Sequence, residues 1–154
     1  MKIFANVFTI VVLAMFLSVT AYCDNAERTA TIVENEGANQ VSSDGTNWIP
    51  AEVGMVLHQG DVIRTADNSF LVMNLEGEES ATVELKEKGE LRLSELLQDK
   101  TAGTQKTLLD LALGEILITS KKLRAEESKF EVKTPTSIVG VRGTTFSVAV
   151  EEEQ

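Results

Sequence analysis

The stretch "ATVELKEKGELRLSEL", Ala81 to Leu96, constrains the fold more than any other part of this chain. Val83 and Leu85 fall on one side of an extended backbone, and Glu84 and Lys86 on the other. After Gly89, Leu91 and Leu93 repeat the pattern. A period of two puts successive side chains on opposite faces, so the segment predicts half-buried strands rather than a helix. Its charged outer positions also discourage edge-to-edge pairing with other chains.

The same texture runs from Trp48 onward. "VGMVLHQGDVIRT" (Val53 to Thr65) holds two small apolar clusters around the turn pair Gly60-Asp61. "SFLVMNL" (Ser69 to Leu75) is rich in β-formers and ends at Glu76-Gly77. "QDKTAGTQK" (Gln98 to Lys106) reads as a loop, and "KFEVKT" alternates again through Phe130 and Val132. "TLLDLALGEILITSKKL" (Thr107 to Leu123) fits a short helix through Leu108, Leu111, Ala112 and Glu115. It fits equally well two strands turned at Gly114-Glu115. Glycine inside a helix costs about 1 kcal/mol relative to alanine, which favours the strands. The two prolines, Pro50 and Pro135, stand at strand edges, where a missing amide donor is tolerated. The expected fold is all-β, with many short strands in a solenoid-like or sandwich arrangement, since period two alone does not separate these.

A different kind of segment comes first. Lys2 is followed by "IFANVFTIVVLAMFLSVTAYC", a basic start, an apolar stretch and small residues near its end. This is the layout of a secretory signal peptide, a helix over 1–21 cut after Ala21; an uncleaved single-span anchor is the alternative. The dense apolar part, Val7 to Val19, is short against the ~20 residues of a bilayer span. Cys23, the only cysteine, excludes an internal disulfide and is a candidate lipidation site. Tyr22 before it does not suit a lipoprotein signal, so the competing reading is a plain thiol near a processed N-terminus. The expected divisions are the signal peptide 1–21, an N-terminal segment 22–47 with a first strand ("TATIV"), a β domain 48–150 and an acidic tail 151–154.

Cleavage after Ala21 removes one lysine and no acid, taking the formal net charge from −10 to −11. Such a surface repels nucleic-acid phosphates, so no nucleic-acid partner is expected. No catalytic constellation stands out. The single histidine, His58, has no metal-ligand spacing around it and reads as a strand-end residue. Glu78-Glu79 and Glu126-Glu127 read as turn carboxylates facing water, there is no nucleophile elbow, and no glycine-rich phosphate loop opens a helix. The expectation is a non-enzyme with no cofactor and no metal. Asp61, Arg64 and Arg142 are the charges set inside glycine-bounded β segments. An ion pair between Asp61 and either arginine could pin one turn to another, with ligand recognition as the competing role.

Two blocks carry a family resemblance. "NWIPAEVGMVLHQGDVIRTADNSFLVMNLEG" resembles a Trp followed by G-x-x-L-x-x-G-D-x-I-x-T, a Ser and a strand closing in Gly. "FEVKTPTSIVGVRGTTFSV" resembles F-x-V-x-T-P-x-x-x-x-x-V-R-G-T-x-F-x-V. In this order, over Trp48 to Val150, they resemble the FecR domain, the extracytoplasmic part of iron-citrate-type regulators. The resemblance implies an exported, non-catalytic β-rich domain of solenoid-like form. In the full regulators a comparable domain receives a signal from an outer-membrane transporter, while a cytoplasmic segment controls an alternative sigma factor. Here the signal segment opens the chain, and "VEEEQ" stands where the family commonly has another V-x-V-x-x-G strand pair. A stand-alone exported domain is therefore expected, without sigma-factor control of its own.

The signature residues carry over as Gly60, Asp61, Arg64 and Thr65 in the first block. In the second they are Thr134, Pro135, Arg142, Gly143 and Thr144. They are expected to determine the fold, with partner binding as the competing role; Gly143 supplies a permissive turn backbone and Thr144 a local hydrogen bond. Two functions follow from the sequence. One is a periplasmic or envelope-associated module working through contact with an unidentified protein, through a sheet edge or the "VRGT" corner, in envelope signalling or regulation. The other is a structural envelope or surface β-module that self-associates. Membrane attachment is expected only through an uncleaved signal or a lipid anchor.

Overall fold

The computed structural model describes residues 25–77, 80–120, 127–141 and 143–151. The expected signal segment, Cys23 and Arg142 lie outside them, and Thr144 enters as backbone. Among the described residues there are thirteen strands and no helix. They are β1 (Asn25–Glu27), β2 (Ala30–Glu36), β3 (Gln40–Ser42), β4 (Ile49–Pro50), β5 (Val56–Leu57), β6 (Val62–Arg64) and β7 (Phe70–Leu75). Then come β8 (Ala81–Leu85), β9 (Glu90–Asp99), β10 (Thr104–Ser120), β11 (Lys129–Lys133), β12 (Ile138–Val141) and β13 (Thr144–Val150).

All thirteen belong to one curled sheet that resembles a half-barrel, and β10 is its spine. The first half of β10 pairs with β9 and, in parallel, with β11. The second half pairs antiparallel with β8 and β13. One half-sheet thus runs β4-β3-β6-β9-β10-β11-β12 and the other β5-β2-β7-β8-β10-β13, with β1 on the far end of β9. Their inner faces share a single core. Ile63, Leu91, Leu93 and Leu109 enter it from the first half, and Ile32, Met73 and Ile116 from the second, all without solvent exposure. Fully burying one such side chain contributes about 1.5–3 kcal/mol. The all-β expectation holds. The curled sheet, folded over one core, is nearer the two-layered arrangement than the stacked coils implied by the resemblance.

The expected turn at Gly114-Glu115 is not a turn. β10 runs straight through it as one strand of 17 residues. The sequence reads as two strands because the burial pattern changes phase. Gln105, Thr107, Leu109 and Leu111 are buried before the glycine, and Ile116 and Ile118 after it. Register shifts at Leu108/Leu109 and Leu111/Leu113 mark bulges, and Gly114 has φ +86°. A bulge moves the alternation by one residue, which lets one strand face the core from both half-sheets. At that point the turn between β8 and β9 closes on the strand. A Cβ on Gly114 would stand 2.5 Å from the Gly89 Cα, so no side chain fits there.

The expected loop Gln98–Lys106 narrows to a tight connection, because β9 continues to Asp99 and β10 starts at Thr104. Among the described residues the segment 22–47 holds three strands, of which β2 pairs with β7 and β3 with β6.

Candidate functional site

The first signature block is spent on turns. The Gly60 N–H donates to the Leu93 carbonyl at 2.7 Å, with Gly60 at φ +97°. Asp61, nearly buried, turns its carboxylate back on its own loop and accepts the His58 N–H at 2.8 Å. Its carbonyl accepts the Leu93 N–H at 2.9 Å. Thr65 is also buried. Its hydroxyl donates to the Lys86 carbonyl and accepts the Gly89 N–H at 2.8 Å, while its own N–H donates to the Gly89 carbonyl at 2.9 Å. These contacts bind β6 to both ends of the turn between β8 and β9.

Arg64 points the other way, to solvent. Its guanidinium lies 3.9 Å from the centre of the Trp48 ring, and its Nε donates to Glu90 at 2.7 Å. Arg64 is therefore not the partner of Asp61, and Arg142, the other arginine expected for that pair, lies outside the described residues. Asp61 and Arg64 are three apart on β6 and its lead-in, one serving the turn and the other the outer face of the sheet. Register explains the Glu90 partner, since Arg64 is directly opposite Glu90 across β6 and β9. Opposite charges at facing positions attract, and the planar guanidinium also stacks on the indole. Trp48 reaches Arg64 because the loop before it is held by Asp44. That carboxylate accepts the N–H groups of Thr46 and Asn47, the Asn47 side-chain amide and the Ser42 hydroxyl. The Asn47 and Thr46 N–H donors hold Asp44 well below the usual carboxylate range.

The second block makes a hairpin end and a corner. The Thr134 N–H donates to the Ser137 carbonyl at 2.8 Å, and its hydroxyl accepts the Ser137 N–H at 3.0 Å. This closes the connection from β11 to β12, with Pro135 exposed on it. Gly143, at φ +80°, turns the chain from β12 in one half-sheet to β13 in the other. Along the sheet β9, β10 and β11 lie between β6 of the first block and β12 of the second, four strand steps of about 4.8 Å each. His58 is exposed, and among the described residues no group of three or more His, Cys, Asp or Glu side chains converges as a metal site would.

Sequence reasoning offered a sheet edge as a contact surface without saying which strand forms it. Among the described residues β13 pairs with β10 alone, so its other side is an edge. Phe146, Val148 and Val150 face inward, opposite Ile118, Ile116 and Gly114, and are only partly covered. Thr145, Ser147 and Ala149 face outward and are exposed. Beside the Val150 end lies an open groove of about 530 Å³, with Phe70 and Val150 among apolar walls and Glu84, Glu87, Glu115 and Glu151 around it. Among the described residues Lys86 is the one cation lining it, and the hydrogen bond to the Glu84 carboxylate 2.6 Å away raises its pKa. A signal was available in the sequence, because "TTFSVAV" is a strand of seven residues without a charge or a proline.

Comparison with known proteins gives one positive result. The family model described as FecR protein matches residues 61–154, more than half of the chain. No curated protein and no solved structure matches it.

Proposed function

The chain belongs to the FecR protein family, whose members are regulatory, signalling-related and typically envelope-associated, and from that premise we propose that it is an exported, non-catalytic module working by protein contact. The family match carries this reading. The signature residues fit it, because the described ones other than Arg64 and Pro135 are occupied by turns and the corner instead of lining a cleft that could hold a substrate. On this reading residues 1–21 direct export, 22–47 lead into the β domain 48–150, and Arg142 of the "VRGT" corner belongs to the fold rather than to a reactive centre. On this reading Arg64, exposed on Trp48, is the signature residue that meets a partner, which its exposure supports.

In-cell cross-linking of the tagged protein, with mass spectrometry of what is captured, tests the proposal together with cell fractionation. A membrane regulator or an outer-membrane receptor among the products supports it. Recovery of the chain only in the cytoplasm, or cross-linked to nothing, removes it. The uncharged edge of β13 also favours a second reading, a structural module that pairs with itself. Concentration-dependent oligomers without a foreign partner would support that reading.

A further inference from the structure

Long, flat, uncharged edges are rare in soluble β proteins because they recruit other strands. The other three ends of the two half-sheets are shorter: β4 is a two-residue strand that ends in Pro50, β5 also has two residues, and β12 has four. β13 has seven residues, no proline and no charge. Its inner row of Phe146, Val148 and Val150 lies at the rim of the core, where one more strand would complete the cover. Its outer row of Thr145, Ser147 and Ala149 ends beside Glu151 and, on the neighbouring β10, Glu115, whose carboxylate accepts the Ser147 hydroxyl. Those carboxylates lie next to Glu84 and Glu87, with Lys86 as the only cation among the described residues that line the groove.

We propose that β13 is the docking edge for an extended segment of a partner protein that adds as an antiparallel strand. The proposal rests on the contact-module reading above. The strand period fixes the chemistry of the occupant. Its inward residues are apolar and cover Phe146, Val148 and Val150. Its outward residues are small and polar, and a lysine or arginine stands at the N-terminal outward position, which antiparallel pairing sets opposite Ala149 or Glu151. Backbone hydrogen bonds to the free side of β13 supply affinity, and the acidic end of the sheet selects the basic end of the segment.

A second copy of the chain is the competing occupant, because a two-fold β13 pair brings the Glu151 end of each copy to the Thr144 end of the other, which Arg142 precedes in the sequence; sedimentation separates the two.

The test uses the protein purified as cells process it and a labelled synthetic peptide of two lysines followed by alternating valine and threonine. A second peptide starts with two glutamates instead. Fluorescence anisotropy is expected to show the lysine peptide binding about tenfold more tightly than the glutamate peptide. Glu151→Lys, an exposed change outside the strand, is expected to weaken the lysine peptide about tenfold and to narrow the difference. Val148→Lys places an inward charge on the edge and is expected to abolish binding of both. Equal affinity for the two peptides, or binding untouched by Glu151→Lys, overturns the proposal whether or not the Val148 variant folds. Sedimentation of the wild type as a dimer that Val148→Lys dissociates also overturns it, since the occupant is then a second copy. A photo-cross-linker in cells separates the two levels of the argument. A partner captured from the Trp48 face and not from Thr145 keeps the contact reading and removes the β13 edge. Peptide binding at β13 with no protein captured in cells keeps the edge and removes the contact reading.

Discussion

Thr65 offers the sharpest test of how the first signature works. Thr65→Val keeps the shape of the side chain and removes only the hydroxyl that bridges the Lys86 carbonyl and the Gly89 N–H. The Gly89 donor is buried at this contact, so it loses its partner without gaining water. An unsatisfied buried donor costs about 1–3 kcal/mol, and the Lys86 carbonyl loses a second bond. The added methyl returns up to about 0.8 kcal/mol of apolar burial. The net expectation is a loss of about 2 kcal/mol, or a fall in Tm of roughly 6–8 °C for a domain of this size. Urea unfolding followed by circular dichroism would show a lower midpoint with an unchanged slope. Hydrogen exchange at the Gly89 amide should accelerate more than at core strand amides. Thr65→Ser keeps the hydroxyl, loses one methyl and is expected to cost only about 0.8 kcal/mol. A valine variant as stable as the wild type, or a serine variant less stable than the valine one, would refute the hydrogen-bond account.

Three further expectations concern other parts of the sheet. Gly114→Ala should cost more than about 3 kcal/mol, because its Cβ meets the Gly89 backbone at 2.5 Å as well as adopting a left-handed φ. Gly103→Ala, at φ +66° with open space around it, should cost only about 1–2 kcal/mol in the same urea assay. Arg64→Ala should lower stability by about 1 kcal/mol, and part of that loss should vanish in 1 M salt, because the Glu90 pair is largely exposed. The Asp44 carboxyl has a folded pKa below its unfolded value of 3.8, so its contribution is complete above that value and is lost as pH falls toward the depressed one. Carbon NMR should show Asp44 still ionised at pH values where exposed glutamates are already protonated, and Asp44→Asn should remove this acid sensitivity from the Trp48 loop.

Much of the fold was legible because strand alternation is a local property. Val83, Leu85, Leu91 and Leu93 are all buried, as their spacing requires, and the turns at Gly60-Asp61, Gly77 and Gly89 fall between strands. β10 was misread for a physical reason. A bulge and a turn both interrupt period two at a glycine, and the difference lies in whether the partner strands continue past it. The Asp61–Arg64 pair failed similarly. Sequence nearness made it plausible, but Asp61 was claimed by the His58 N–H of its own turn, and Arg64 by Glu90 from another strand.

By itself, then, the sequence determined the all-β class, most turn positions and the two signature blocks, because backbone period and turn chemistry are written within a few residues of each other. Tertiary structure decided which strands became neighbours. It made β10 one spine shared by both half-sheets, put three strands between β6 of the first signature block and β12 of the second, and left β13 with one partner among the described residues. Strand pairing joins residues far apart in the chain, and the hydrogen bonds that select those pairs come from backbone groups that every residue carries.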